Sequence, residues 1–243
     1  MLRVISLGAG VQSTTLALMA AHGEIGPMPD CAIFADTGWE PAAVYEHLRW
    51  LQSGNVLPFP IRVVTAGNIR SDALAKVNST GQRFAAVPWF TLGRGGKRGM
   101  GRRQCTKEYK LRPIQREIVR LLGGKRPAGG AEVWVGISMD ETVRMKPSRV
   151  RYVVNRWPLI ERRMSRRDCL AWLSAKGYAP PPRSSCIGCP FHSDAEWRAL
   201  RARPEEWADA VAIDEAIRHQ PGLRAQQFMH ASCVPLADVD LST

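Results

Sequence analysis

Two cysteines three positions apart, Cys186 and Cys189, have a spacing typical of metal or redox chemistry. Glycine and proline lie within and directly after the pair, which suits a tight turn that brings two thiolates onto one metal centre. A pair needs further ligands, and Cys105 is the candidate for a third. Basic residues such as Arg102 and Lys107 surround Cys105 in the sequence, a setting that favours thiolate over thiol.

Three kinds of site remain open for these cysteines. An iron–sulfur cluster of the four-iron type uses cysteine thiolates, with Cys233 as a candidate fourth ligand. A structural zinc would take the pair and two further ligands, with His192 or His230 as candidates. A redox pair needs no metal. Cys31 and Cys169 fall in apolar patterns where packing is the expected role. A chain with six cysteines that we expect to be cytoplasmic favours metal or redox chemistry over disulfides.

The turn that begins at Gly8 near the N-terminus has the composition of a phosphate-binding loop. A short apolar strand precedes it and an apolar helix follows. Gly8 and Gly10 let backbone N–H groups approach an anion, and Ser13 and Thr14 open the helix, whose dipole favours negative charge. The turn has no lysine, so it is not a Walker A loop, and Ser13 stands where the dinucleotide fingerprint needs a third glycine. An ordinary strand–helix turn is the alternative.

The elements that must position these residues alternate between strand and helix. After the first strand and helix, the pattern predicts strand 31–35, helix 42–52, strand 61–64 and, later, strand 132–137. This alternation indicates a parallel sheet covered by helices, in which ligands bind beyond the carboxyl ends of the strands. Residues 6–13 and Asp36-Thr37 both fall at such ends, so we expect them to face one crevice. Asp36 would then contact a ribose or adenine group or help to hold magnesium, and a helix N-cap is its alternative role.

Basic residues are concentrated in one part of the chain. The net charge is +12, and residues 94–126 hold 12 Lys or Arg and 2 Glu. Residues 93–103 are rich in glycine and predict a mobile loop that an anionic ligand would order. We expect this segment to contact nucleotide or nucleic-acid phosphates, with a solvated surface as the alternative. A second arginine-rich stretch covers residues 144–151.

The length allows one large domain with a smaller appendage. We expect an α/β domain, nucleotide-binding if the glycine turn holds phosphate, at 1–164 and a helical, cysteine-containing region at 165–243. No apolar run approaches the roughly 20 residues of a membrane span. The N-terminus lacks the layout of a secretion signal, because glycines interrupt its apolar run early. We therefore expect a cytoplasmic protein without a membrane partner.

Five short motifs together resemble the phosphoadenylylsulfate (PAPS) reductase-like branch of the PP-loop superfamily, the ATP pyrophosphatases and adenine nucleotide alpha hydrolases. In that family the loop usually reads Ser-Gly-Gly-x-Asp-Ser, and Gln12 stands here where the pattern has aspartate. The matching motifs are Gly8 to Ser13, Asp36-Thr37-Gly38, Arg103-x-Cys105-Thr106 with Lys110 and Pro113, Gly136-x-x-x-x-Glu141-Thr142, and Cys186-x-x-Cys189.

This resemblance implies a Rossmann-like, HUP-type α/β fold that binds ATP with Mg²⁺. Ser6 to Thr14 would cradle the phosphates, Asp36 and Thr37 would line the nucleotide pocket, and Gly136 and Glu141 would close it. The candidate nucleotide-binding residues are Ser6, Gly8, Gly10, Gln12, Ser13, Thr14, Asp36, Thr37, Gly136 and Glu141.

Members of this superfamily catalyse different reactions. The function that we favour for this chain is adenylation of an acceptor followed by iron–sulfur-dependent sulfur transfer. The acceptor would be a nucleic acid, as in tRNA thiolation or DNA phosphorothioation. Lys110 and Arg103 would balance the charge of the leaving pyrophosphate. A cluster on Cys105, Cys186 and Cys189 would supply or relay sulfur. A sulfur donor such as a cysteine desulfurase and a second copy of the chain are the further expected partners.

Two alternatives keep the fold and change the function. The first is reduction of a sulfonucleotide with Cys233 as the nucleophile. The tail reads His230-Ala231-Ser232-Cys233 rather than the Glu-Cys-Gly-Leu-His motif of those reductases, and Thr106 follows Cys105 where adenylylsulfate reductases have a second cysteine. The second alternative is a non-catalytic nucleotide-binding module with a structural zinc, which the replacement of aspartate by Gln12 favours.

Overall fold

The computed structural model of this chain describes residues 1–75, 87–219 and 224–242. Contacts between residues of the chain define two compact units, and each unit is built from three separate segments. We call the first the sheet unit, which comprises Met1–Asp36, Ala42–Val64 and Leu111–Ser184. We call the second the thiol unit, which comprises Thr37–Pro41, Thr65–Lys110 and Ser185–Thr243.

Eight strands occur in the described part of the chain. They are β1 (Leu2–Leu7), β2 (Cys31–Asp36), β3 (Ile61–Thr65), β4 (Phe90–Leu92), β5 (Arg98–Met100), β6 (Ala131–Val135), β7 (Val153–Arg156) and β8 (Gln226–Phe228).

The α-helices of the same residues vary from one turn to four. They are α1 (Val11–Ala21), α2 (Ala42–Gln52), α3 (Ile69–Ala75), α4 (Arg112–Leu121), α5 (Pro158–Glu161), α6 (Arg166–Ala175), α7 (Asp194–Arg201) and α8 (Pro204–Ile217). Thr106–Leu111 forms a π-helical turn directly before α4. None of the described helices is long and apolar enough to cross a membrane.

The larger sheet has five strands in the order β3-β2-β1-β6-β7. Strand β1 pairs in parallel with both β2 and β6, and β6 pairs in parallel with β7. Val4 and Ile5 of β1 are fully buried, as expected for a central strand covered on both faces. The predicted α/β fold, a parallel sheet flanked by helices, is therefore confirmed.

Helix α1 is buried along most of its length in the sheet unit. Leu16 and Leu18 on different sides of the helix are both inaccessible to solvent. They join one apolar core with Trp134 of β6 and with Cys169 and Leu173 of α6. Helix α1 is therefore packed on several sides, which supports the loop that precedes it.

The basic segment 93–103 was expected to be a mobile loop, and this prediction was wrong. Strand β5 lies within the segment and forms an antiparallel hairpin with β4, which directly precedes the segment. Strand β8 pairs with β4 to give a three-stranded sheet in the order β5-β4-β8. Gly95 and Gly96 adopt positive φ angles, which permit the tight connection between the strands. Pairing with the distant β8 stabilises a hairpin that the local sequence alone would not.

Both compact units draw on both regions expected from the sequence. Helix α6 belongs to the predicted region 165–243 but lies in the sheet unit. Residues 65–110 belong to the predicted region 1–164 but lie in the thiol unit. The division into 1–164 and 165–243 stays a prediction.

Candidate functional site

The glycine loop, residues Gly8–Thr14, follows β1 at the point where the strand order of the larger sheet reverses. From β1 the chain continues to β2 and β3 on one side, and it later adds β6 and β7 on the other side. In open α/β sheets this switch point forms the crevice in which ligands bind, beyond the carboxyl ends of the strands. The loop therefore occupies the position in this fold that is best suited to a ligand.

The loop presents backbone N–H groups rather than side chains. Ala9 has a φ of 56°, and Gly10 precedes α1 without a side-chain cap. The first intrahelical bond runs from the Thr14 N–H to the Gly10 carbonyl, so the N–H groups of the first turn before Thr14 have no acceptor within the helix. The Ser13 hydroxyl accepts from the Gly8 N–H at 3.1 Å and closes the loop. This arrangement suits an anion.

Gly136, directly after β6, packs against the start of α1. A Cβ at this position would lie 2.9 Å from the backbone nitrogen of Ser13 and 3.1 Å from the carbonyl carbon of Gln12. Contacts this short with backbone atoms cannot be relieved by a side-chain rotation. A glycine is required here because the end of β6 touches the helix that follows the loop.

Gln12 lies in a network of polar side chains beside the loop. Its amide nitrogen donates to the Ser138 hydroxyl at 3.3 Å, and its amide oxygen accepts from the Arg166 guanidinium at 3.2 Å. Asp140 accepts from the Ser138 hydroxyl and from the Arg166 N–H, at 2.8 and 2.7 Å. The Ser138 proton is thus directed to Asp140, so the neighbour at position 12 must be a donor. An amide meets this requirement and an ionised aspartate does not.

Thr14 is fully buried, and its hydroxyl bonds the ring of His47 of α2 at 2.9 Å. Burial lowers the pKa of His47 to about 4. The imidazole is therefore neutral at pH 7 and can accept the hydroxyl proton. The Thr14 side chain thus connects α1 to α2 within the sheet unit.

The remaining nucleotide-site candidates of the sheet unit lie at the carboxyl ends of its strands or just beyond them. Ser6 lies near the end of β1 and pairs with Val135 of β6. Asp36 ends β2 and accepts a hydrogen bond from the Tyr45 hydroxyl at 2.8 Å. Glu141 forms an ion pair with Arg144 at 2.5 Å in a 3₁₀ turn after β6. Their assignment to a nucleotide pocket stays a prediction.

The thiol unit gathers polar groups around the carboxylate of Glu40, whose side chain is 1% exposed. The Thr37 hydroxyl donates to Glu40 Oε1 at 3.0 Å, and the Lys110 ammonium lies 3.4 Å from the same oxygen. The Cys186 sulfur lies 3.6 Å from the Thr37 hydroxyl and 3.9 Å from Glu40 Oε1. An ion pair between a buried carboxylate and a partly exposed ammonium therefore adjoins a thiol.

Charge interactions connect this ion pair to two further thiols. Cys189 interacts with Cys105, Cys186 and Lys110. The turn between Cys186 and Cys189 is closed by a bond from the Cys189 N–H to the Cys186 carbonyl at 3.0 Å. We call Cys105, Cys186 and Cys189, together with Lys110 and Glu40, the thiol cluster.

Two thiols of this cluster, Cys186 and Cys189, are neutral at pH 7. Burial, reinforced by the charge of Glu40 and opposed by that of Lys110, raises the pKa of Cys186 to about 12. Burial also raises the pKa of Cys189. For Lys110, burial alone would lower the pKa, but Glu40 and the neighbouring Cys186 raise it above its usual value. The cluster thus holds a fixed positive charge beside two protonated thiols.

The two predicted catalytic residues besides Lys110 are Arg103 and Cys233, and their contacts differ from those of Lys110. The Arg103 guanidinium lies 4.9 Å from the centre of the Phe191 ring, a cation–π contact in the thiol unit. Cys233 is buried in a turn where its N–H bonds the His230 carbonyl at 3.1 Å, and its φ is 56°. Within the described residues, no hydrogen bond or charge interaction links Cys233 to the thiol cluster.

No metal site can be assigned from geometry in the part of the chain that the structure describes. No group of three or more His, Cys, Asp or Glu side chains there is placed to hold a metal ion. The three thiols of the thiol cluster are nevertheless of the ligand type that suits iron–sulfur clusters and zinc rather than Mg²⁺. Cys31 and Cys169 are buried in the core of the sheet unit. The iron–sulfur cluster and its zinc alternative stay predictions.

Sequence reasoning missed the residues that hold the candidate sites in place. Arg166, Ser138 and Asp140 surround Gln12, and His47 bonds Thr14. None of them was singled out, although Ser138 and Asp140 stand at unspecified positions of the motif from Gly136 to Thr142. Glu40 was also missed, although its position four residues after Asp36 placed it beside a singled-out segment. Such contacts join segments far apart in the chain, so no local signal could reveal them.

No family model matches this sequence, and no curated protein matches it. Among solved structures, the chain is similar to a phosphoadenylyl-sulfate (PAPS) reductase from Candida auris, crystallised as a phosphate complex. The two chains are 12% identical, the TM-score is 0.48, and the match covers 79% of this chain and 82% of the other.

Proposed function

We propose that this protein is a PP-loop enzyme that adenylates an acceptor with ATP and supports sulfur transfer to a nucleic acid. The observation that carries the proposal is the glycine loop at the switch point of the parallel sheet, with Gly136 packed against its helix. The motif resemblance to the PAPS reductase-like branch supplies the reaction class. The thiol cluster of the second unit supplies groups suited to sulfur chemistry.

In the proposed first step, an oxygen of the acceptor attacks the α-phosphorus of ATP. A new oxygen–phosphorus bond forms, the bond to the β-phosphate oxygen breaks, and pyrophosphate leaves with its electron pair. The backbone N–H groups at the start of α1 would offset the negative charge of the phosphates. Asp36 would help to hold Mg²⁺, because carboxylate oxygens are ligands of this ion.

In the thiol unit, Cys105, Cys186 and Cys189 would hold an iron–sulfur cluster, which when bound would supply or relay sulfur. Binding requires the thiols to lose their protons. Lys110 favours that loss, because its charge lowers the pKa of both Cys186 and Cys189 against the effect of burial. Glu40 holds the Lys110 ammonium in position through their ion pair.

ATP–pyrophosphate exchange and AMP formation test the adenylation step. We expect exchange in the intact protein with RNA or DNA present, and a large loss in the variant Gly10→Val, which crowds the loop. Cys186→Ser should retain exchange and lose sulfur transfer, whereas Cys169→Ser, in the other unit, should retain both. Absence of exchange and of AMP with every nucleic acid tried would remove the proposal.

The metal proposal has a test of its own that does not depend on turnover. Protein purified without oxygen should absorb as an iron–sulfur protein and contain iron. A colourless protein with stoichiometric zinc would favour the structural alternative. The absorbance spectrum and the metal content are also measured for variants in which one cysteine at a time is changed to alanine, at Cys105, Cys186, Cys189 and Cys233.

A second candidate function is reduction of a sulfonucleotide by Cys233. The observation that favours it is the left-handed backbone of Cys233, a conformation that costs a non-glycine residue free energy and that clusters at functional sites. Sulfite release in a thioredoxin-coupled assay, abolished by Cys233→Ser and retained by Cys31→Ser, would support this function. Release that persists in Cys233→Ser would reject it.

A further inference from the structure

A groove on the sheet unit is lined by arginines and by no acidic residue. It has a volume of about 330 Å³, at the small end of the range for ligand pockets. Four of its residues lie at helical spacing on α4, so they share one face of that helix. The lining residues are Arg112, Gln115, Arg116, Val119, Arg126 and Tyr152.

Two of the three arginines of this groove, Arg116 and Arg126, have exposed side chains. In the described residues, neither Arg116 nor Arg126 has a hydrogen bond or an ion pair, and both are exposed. Arg120 of the same helix behaves differently, because it forms a two-pronged ion pair with Glu117 at 2.7 Å. Positive charge therefore remains available on the groove side of α4.

Backbone bonds bring the two arginine-rich parts of the sequence together at this groove. The Gly129 N–H bonds the Arg151 carbonyl at 2.9 Å, and the Ala131 N–H bonds the Tyr152 carbonyl at 3.0 Å. The stretch 144–151 therefore lies beside the end of the stretch 94–126. The end of one basic stretch and the whole of the other therefore lie side by side within the sheet unit.

We propose that the arginine groove binds the backbone of a single-stranded segment of nucleic acid. Arg112, Arg116 and Arg126 would contact phosphates, and the partly exposed Tyr152 ring would stack on a base or sugar. This inference rests on the proposed function and assigns its nucleic-acid partner a surface. A groove of this size that combines three cations with one aromatic ring matches a nucleotide unit better than it matches a folded protein partner.

Fluorescence anisotropy with a labelled single-stranded 20-nucleotide RNA tests the proposal on the full chain. Removing two phosphate contacts, in Arg116→Gln with Arg126→Gln, should weaken binding about 25-fold at 0.1 M salt. The slope of log affinity against log salt should fall by about 1.4. The matched control, Arg120→Gln with Lys125→Gln, removes the same net charge from neighbouring positions and should weaken binding by no more than about twofold. Equal losses in the two double variants would overturn the proposal.

The role of Tyr152 separates a nucleic acid from other phosphate ligands. Tyr152→Leu should weaken RNA binding by at least about fivefold without changing the salt slope, because stacking carries no charge. Inorganic phosphate at matched ionic strength should not displace the RNA. Displacement by phosphate, or binding of phosphatidylserine vesicles in place of RNA with the same dependence on Arg116 and Arg126, would overturn the proposal.

The experiments can reject the proposed RNA-binding groove and the proposed enzymatic activity independently of each other. If the arginine variants lose RNA binding and no nucleic acid supports ATP–pyrophosphate exchange, the groove stands and the proposed function falls. If exchange occurs and RNA binding does not depend on Arg116 and Arg126, the function stands and the groove falls. Circular dichroism and urea unfolding of each variant show whether it is folded.

Discussion

The glycine loop and the thiol cluster are built in opposite ways. The loop is one run of seven residues from the end of β1 into the first turn of α1, and its binding groups are backbone N–H groups. The thiol cluster combines three separate segments, 37–40, 105–110 and 186–189, and its groups are side chains. The first depends on close backbone packing, and the second depends on buried charges and their partners.

This difference determines which substitutions should damage each region. A glycine loop fails when a Cβ pushes backbone segments apart, whatever the charge of the new residue. A cluster of buried ionisable groups fails when its turn is displaced or when one charge loses its partner. Variants that affect one region and spare the other measure how independent the two are.

The largest effect is expected for Gly188→Ala in the thiol unit. A Cβ there would lie 2.1 Å from the ring of Trp39, which is buried and donates to Asp209 at 2.7 Å. Because the ring is held in place, the turn between Cys186 and Cys189 must move. We expect the free energy of unfolding to fall by about 3 kcal/mol, measured by urea denaturation. ATP binding should change little if the two regions are independent.

Gly136→Ala is the corresponding test of the sheet unit. The added methyl would meet the backbone of Ser13, so the start of α1 must shift away from β6. We expect a loss of about 2 kcal/mol in unfolding free energy and an ATP affinity at least about tenfold weaker by calorimetry. Gly54→Ala is the matched control, because a Cβ there meets no atom within 4 Å. Unchanged ATP affinity in Gly136→Ala would show that the loop is not the nucleotide site.

His47 gives the sheet unit a dependence on pH. Its pKa is about 4 in the folded chain and near 6.5 when unfolded, so the unfolded state binds more protons between these values. The contribution to stability is complete above pH 6.5 and is lost as the pH falls towards 4.

We expect unfolding free energy to fall by about 1.5 kcal/mol from this residue between pH 7 and pH 5. The measurement is the difference between the unmodified chain and His47→Gln, which keeps a partner for Thr14 and does not titrate. An identical pH dependence in the two proteins would contradict this account.

The sequence alone predicted those helices and strands whose residues follow a local apolar pattern. Helix α2 was predicted at its observed bounds, and strand β2 within one residue, because apolar periodicity and flanking prolines mark them. The order of the strands and the switch point follow from connections that periodicity does not encode.

The candidate sites were predictable only in part, for the same reason. The glycine loop is contiguous, so its composition indicated a phosphate site directly. Glu40 and Arg166 act through contacts with residues far away in the chain, and the hairpin β4–β5 depends on β8, more than 120 residues later. Long-range pairing of this kind overrides local composition, which is why residues 93–103 were misread as a loop.

The smallest effect is expected at the start of α6, the helix that carries Arg166 beside the glycine loop. Ser165 and Asp168 form a reciprocal capping box, in which the Ser165 hydroxyl accepts from the Asp168 N–H at 3.2 Å and the Asp168 carboxylate accepts from the Ser165 N–H at 2.8 Å. Ser165→Ala should lower the free energy of unfolding by about 1 kcal/mol. Ser174→Ala, near the exposed end of the same helix, should stay within about 0.5 kcal/mol of the unmodified chain. If ATP affinity also falls in Ser165→Ala but not in Ser174→Ala, the position of Arg166 matters to the loop, since the cap fixes the turn from which that arginine reaches Gln12.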